Sequence, residues 1–134
     1  MALFVDTSVW SLAYRRDAPP DLPQLDALRT ALLGADPVVT TGIVLLELLR
    51  GFLPGHSQTV VRDQVGALPF IDPHREDYSA AAALSNACRA KGVQLHTIDA
   101  LIAQLCIRER LTLLTTDADF SHAANHIPLR VWRP

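Results

Sequence analysis

Lysine, cysteine and long apolar runs are what this chain has least of. Eleven of its twelve basic residues are arginine, so Lys91 is the single candidate for chemistry that needs a lysine amine. The two cysteines, Cys88 and Cys106, stand in apolar helical patterns without a CxxC pair. That excludes a disulfide scaffold and reads as buried free thiols in a reducing compartment. No stretch approaches the ~18 consecutive apolar residues of a membrane span. Ala2-Leu3-Phe4-Val5 follows no basic region, so no signal peptide is expected and the protein is expected to be cytoplasmic. The histidines at 56, 74, 96, 122 and 126 are scattered. His122 and His126 lie four apart with no third partner, which argues against a zinc site and reads as surface.

Excess positive charge is missing too. With 12 Lys+Arg against 14 Asp+Glu the net charge is −2 and the isoelectric point is near 6.2. A protein that coats nucleic acid by charge alone is thereby excluded. A core, in contrast, is present. The 134 residues are 49% hydrophobic and 19% charged, which rules out a mainly disordered chain. One domain over residues 1–134 is expected, long enough to bury roughly 68–70% of its unfolded surface.

Short apolar runs alternate with helical patterns. Strands are expected at Ala2–Val5, Val38–Thr40, Phe70-Ile71, Thr112–Thr115 and Leu129–Trp132. Helices are expected over Val9–Tyr14, with Thr7 and Ser8 able to cap it, and over Leu22–Leu33 and Thr41–Arg50. Val61, Val65 and Leu68 mark a further helix, followed by Arg75–Lys91 and Ile98–Arg110. Asp17-Ala18-Pro19-Pro20 breaks the first helix, and Gly51 and Gly92 end two others. Such alternation implies an α/β fold, a parallel sheet covered on both faces.

Four acids sit beside or within these apolar segments. Asp6 follows the first strand and Asp117 the strand ending in Thr115. The carboxyl ends of strands form the crevice where open α/β sheets bind ligands. Glu47 is the single charge between Asp36 and Arg50, and Asp99 opens an apolar helix. Each has an ordinary alternative: Asp6 and Asp117 as turn residues or caps, Asp99 as a dipole acid, Glu47 paired with Arg50. If the four converge, their mutual repulsion calls for a hard divalent cation, Mg²⁺ or Mn²⁺, with oxygen ligands.

These segments resemble the PIN domain and, within it, the VapC toxins of bacterial toxin–antitoxin pairs. Asp6-Thr7-Ser8, Glu47-Leu48-Leu49-Arg50-Gly51, Asp99-Ala100-Leu101-Ile102-Ala103 and Thr115-Thr116-Asp117-Ala118-Asp119-Phe120 are similar to its four acidic motifs, in order. The resemblance implies a three-layer α/β/α sandwich with a central parallel sheet. It also implies an Mg²⁺/Mn²⁺-dependent endoribonuclease that hydrolyses tRNA or rRNA with a metal-activated water and inhibits translation. Asp6, Glu47, Asp99 and Asp117 carry over as catalytic metal ligands, and Asp119 as an outer helper. Thr7, Ser8, Thr115 and Thr116 would orient them, or serve as ordinary caps. A homodimer is implied, with a cognate VapB antitoxin covering the site; Phe52, Leu53 and Pro54 are candidates for that contact.

Arg15/Arg16, Arg89/Lys91 and Arg108/Arg110 read as solvated helix faces before RNA contacts. Trp10 and Tyr14, four apart, read as helix packing or a subunit interface before a stack for bases. Three other readings compete: a receiver-like signalling module, a non-catalytic PIN-like scaffold and a general metal-dependent phosphohydrolase. The first would need a mid-chain phospho-acceptor Asp and a Lys after a later strand, but Asp72 precedes Pro73 and Lys91 closes a helix. The second is expected to lose one of the four acids; the third differs only in substrate.

Overall fold

The computed structural model describes residues 1–15, 19–52 and 54–134. The elements run β1 (Leu3–Val5), α1 (Thr7–Ala13), α2 (Pro23–Leu33), β2 (Val38–Val39), α3 (Gly42–Arg50) and α4 (His56–Gly66). They continue with α5 (Arg75–Ala90), α6 (Thr97–Arg108), β3 (Thr112–Leu114), α7 (Ala118–Ala123) and β4 (Arg130–Val131). All pairings are parallel, in the order β2-β1-β3-β4, with Phe4 opposite Val39 on one side and Leu113 on the other. β1 and β3 are buried along their whole length, as strands covered on both faces must be. The chain leaves β1 towards β2 on one side, while β3 and β4 are added on the other. The reversal therefore falls between β1 and β3, the place where doubly wound sheets open a binding crevice.

The core runs from Phe4 and Val5 through Val9, Val44, Leu48, Ile102 and Leu113 to Phe120, all buried. Trp10 belongs to it, 3% exposed, its ring stacked on Tyr14 at 6.1 Å. Tyr14 in turn meets Phe52 edge-on at 6.5 Å, and its Oη donates to Gln64 Oε1 at 2.6 Å. Burial raises the Tyr14 phenol above its usual range. Trp10 thus packs in the interior, and Tyr14 is half-buried against it.

α5 and α6 pack along one another and share a buried ion pair. Asp77, 2% exposed, accepts from the His74 main-chain N–H at 2.7 Å, from Gln104 Nε2 at 3.2 Å and from Arg108 Nε at 3.1 Å. Arg108 also donates to Glu109 and, through Nη2, to the Asp72 carbonyl at 2.9 Å. Its guanidinium is thus engaged inside the fold and does not form a solvated face.

Both helices end in a Schellman turn. After α5, Val93 N–H bonds Cys88 O at 2.9 Å and Gly92 N–H bonds Arg89 O at 3.0 Å, with Gly92 at φ 76°. After α6, Leu111 N–H bonds Cys106 O at 2.8 Å and Arg110 N–H bonds Ile107 O at 3.3 Å. Here the left-handed residue is Arg110, at φ 55°. A side chain in that conformation is strained, and the cost is about 1 kcal/mol. Arg110→Gly is expected to raise stability by about 0.5–1 kcal/mol in urea unfolding, since among the described residues Arg110 bonds only through its main chain, its N–H to Ile107 O and its carbonyl to Arg130 Nη2 at 2.8 Å, and glycine keeps both. A variant no more stable than the wild type would overturn this account.

Several expectations need correction. Phe70-Ile71 is not a strand; it contributes one parallel bridge, to Thr40, with Ile71 N–H on Thr40 O at 2.8 Å. Pro69 has no N–H, and two residues do not make a ladder. Leu68 lies past the end of α4, and the last strand is reduced to Arg130–Val131. α7 was not expected at all. Arg16, the break at Asp17-Ala18, and Leu53 lie outside the described residues.

Candidate active site

Asp6 extends β1 by one rung, its N–H on Leu114 O at 2.9 Å, and then serves as the first residue of the turn into α1. Its side chain does not cap that helix. Instead Oδ2 accepts from two hydroxyls, Ser8 Oγ and Thr115 Oγ1, each at 2.8 Å. The same two hydroxyls stitch β1 to the segment after β3. Thr116 N–H donates to Ser8 Oγ at 3.2 Å, and Asp117 N–H donates to Thr115 Oγ1 at 3.0 Å. Asp117 is a true helix cap, its Oδ1 accepting from Asp119 N–H at 2.9 Å.

Glu47, half-buried on α3, does not pair with Arg50. Its Oε1 accepts from Thr7 Oγ1 at 2.9 Å, across from α1. Thr7 and Ser8 therefore act on carboxylates and not as caps. Thr116 contributes its main-chain N–H, while its side chain is exposed. Among the described residues one oxygen of Asp6, of Glu47 and of Asp117 is held by the protein, and the other accepts no hydrogen bond.

Asp99 sits in the first turn of α6, and its carboxyl is pushed up to about 6. Burial is the larger cause, followed by the negative charges of Asp6, Asp117 and Glu47; His96 pulls the other way. Carboxylates from β1, α3 and the β3–α7 turn thus act on Asp99 of α6 across the crevice between β1 and β3. Asp119 is half-buried next to them, but its carboxylate takes no hydrogen bond among the described residues and does not figure in the shift of Asp99. Cys106 lies beneath, its thiol raised by burial and by Asp6, which keeps it protonated. His96 was not singled out by sequence reasoning; the one signal was its position just before the first turn of Asp99's helix.

The donor chemistry suits a hard divalent cation: carboxylate oxygens, excess negative charge and no thiolate. Among the described residues no three acidic, histidine or cysteine side chains already close into a ligand set.

The raised Asp99 has a consequence for stability. Its native carboxyl binds a proton more tightly than the unfolded one, so it favours folding at acid pH and this contribution is lost as pH rises through about 6. Without divalent cations, Asp99→Asn is expected to stabilise the protein at pH 7.5. Solvent screening at a half-buried site keeps the gain on the order of 1 kcal/mol. The gain should vanish near pH 4.5, and thermal melts at the two pH values in EDTA check it. A variant less stable than the wild type at pH 7.5 would contradict the repulsion described above.

Comparisons with known proteins agree with this architecture. A model of the PIN domain matches residues 3–126. Ribonuclease VapC11 of Mycobacterium tuberculosis is 29% identical over 120 residues, covering 88% of each chain. A VapC ribonuclease of Mycobacterium bovis matches to the same extent. Among solved structures, VapBC2 of Rickettsia felis, bound to a DNA fragment of its promoter, superposes with a TM-score of 0.73 and 24% identity. It covers 99% of this chain and 100% of that one. VapC20 of Mycobacterium tuberculosis, a toxin that cleaves the sarcin–ricin loop, gives a TM-score of 0.68 at 19% identity, over 96% of this chain and 99% of that one.

Proposed function

The chain belongs to the PIN-domain family, and from that premise we propose that it is a divalent-cation-dependent endoribonuclease, the VapC toxin of a toxin–antitoxin pair. The observation that carries this reading is the convergence of three carboxylates, Asp6, Glu47 and Asp117, on Asp99 in the crevice between β1 and β3. The ribonuclease names of its relatives support it. Asp6, Glu47, Asp99 and Asp117 would hold Mg²⁺ or Mn²⁺, with Asp119 as an outer acid. The chemistry such a cation supplies when bound is a more acidic water and stabilisation of the departing 3′ oxygen.

The chain's own groups prepare that site. Ser8 and Thr115 fix the Asp6 carboxylate through Oδ2, and Thr7 fixes Glu47 through Oε1. Hydroxyls that hold a ligand's orientation are typically worth 10–100-fold in affinity or activity. Asp99 gives up its proton near pH 6 and completes the charge of the site above it. The buried Cys106 thiol, held protonated, is no nucleophile. The functional unit is one domain over residues 1–134, acting in the cytoplasm as a homodimer. It cleaves tRNA or rRNA to inhibit translation and is restrained by a VapB antitoxin.

Purified protein incubated with total RNA should cut it in Mg²⁺ or Mn²⁺ and stop in excess EDTA, with the new ends mapped by sequencing. Single-stranded DNA and small phosphoesters should remain intact. RNA cleavage that persists in EDTA would reject the reading; preferential hydrolysis of small phosphoesters would replace it with a general phosphohydrolase.

A further inference from the structure

A cavity of about 540 Å³ opens where the end of α5 meets the start of α6. Ser85, Arg89, Gln94, His96 and Thr97 line it together with the turn between the helices, and no acid among the described residues does. The turn is firmly built: Gly92 closes the Schellman motif described above, and Ser85 Oγ donates to Leu95 O at 2.8 Å. The cavity adjoins the carboxylate crevice at the start of α6, since His96 lines one and Asp99, three residues on and on the same face of the first turn, belongs to the other and feels the His96 ring.

Arg89 is the arginine that lines this cavity, and unlike Arg29 and Arg108 it has no acid partner among the described residues. Arg29 is paired with Asp26, and Arg108 with Asp77. The Arg89 guanidinium is exposed and donates to a neutral group, Asn86 Oδ1, at 3.1 Å. Among the described residues no carboxylate offsets its charge. Four carboxylates repel a polyanion, even where a bound cation cancels part of their charge. A nucleic-acid strand stays across such a crevice only if fixed positive charge stands beside it, and phosphate contacts supply that anchorage without regard to base.

We propose that this cavity is a subsite for a phosphodiester flanking the cleaved bond of an RNA strand, with Arg89 as the group that binds it. His96 and Thr97 supply further polar contact at its rim. The inference rests on the ribonuclease reading and adds to it the element that a net charge of −2 leaves unexplained: where the substrate's backbone is held.

The test uses a fluorescent RNA that the wild type cuts in Mn²⁺; no cleavage by the wild type means that the ribonuclease reading fails first. Given cleavage, Arg89→Ala should raise KM about five- to tenfold at low salt while kcat stays within about twofold, the scale of one lost phosphate contact. The dependence of log(kcat/KM) on log salt should become shallower by about 0.7, the single-strand value for one contact. Arg89→Lys should restore that slope, and Arg29→Ala, on the distant α2, should leave KM and slope at wild-type values. Unchanged KM and slope in Arg89→Ala would overturn the proposal. So would an equal effect from Arg29→Ala, which would show only net charge at work. A shifted gel-filtration volume for Arg89→Ala would also overturn it, in favour of a contact between copies of the chain.

Discussion

Asp6→Asn is expected to abolish RNA cleavage, by about 10²-fold or more, and to leave the protein folded. That is the scale on which a single preorganised electrostatic group acts in an active site. The substitution removes a charge and almost no volume. An amide oxygen can still accept from Ser8 Oγ and Thr115 Oγ1, so the link between β1 and the segment after β3 is kept. Because Asp6 is one of the charges that raise Asp99, its loss also relieves repulsion in the cation-free protein. The melting temperature should therefore hold or rise while activity disappears. Affinity for Mn²⁺, measured by calorimetry, should fall with it. A variant that cuts RNA at the wild-type rate would remove Asp6 from the reaction.

Arg108→Ala is expected to cost about 3–5 kcal/mol of unfolding free energy, the largest stability loss predicted for this chain. A domain of this kind has about 5–15 kcal/mol in all. Asp77 would be left buried with its charge uncompensated. Pairs such as Asp26–Arg29, with side chains 64% and 68% exposed, contribute at most about 1 kcal/mol. Burial pushes Asp77 up, but the His74 N–H, Gln104 and Arg108 outweigh it and hold the carboxyl below its usual range. A depressed carboxyl contributes stability above its unfolded pKa, and this is lost as pH falls through its native one. With Arg108 removed burial dominates, so the deficit should be greatest near neutrality and shrink towards pH 4. Urea titrations at pH 7 and pH 4 give the comparison. The double variant Asp77→Leu/Arg108→Met should recover most of the loss, since paired apolar side chains need no compensation. An equal deficit at both pH values would mean that packing, not charge, is what Arg108 provides.

What local pattern could show, it showed. Apolar runs punctuated by Gly, Pro and acids located all four strands and six of the helices, with ends displaced by one to several residues. α7 escaped because six residues hardly exceed one helical turn and present no periodicity. Phe70-Ile71 was over-read because an apolar pair after a proline has the composition of a strand without the length. The position of each of the four acids at an element end or within an apolar helix was legible, because charge is conspicuous in such company. Their use of hydroxyls was only half legible. Thr7 and Ser8 have the residue types of caps, and nothing in the local sequence tells that Glu47 lies across from Thr7. Asp77 was invisible for the same reason. Next to Glu76 in a first helical turn it looks like an acid placed for the dipole, and its partner Arg108 is 31 residues away.

Three N–H groups of the segment after β3 are tied down by site side chains: that of Thr116 ends on Ser8, that of Asp117 on Thr115 and that of Asp119 on Asp117. A loop pinned in this way has little left to rearrange when an ion arrives. Under the proposed cation-dependent reading, side chains still have to close around the ion, but the main chain that carries Asp117 and Asp119 would not have to refold to receive it.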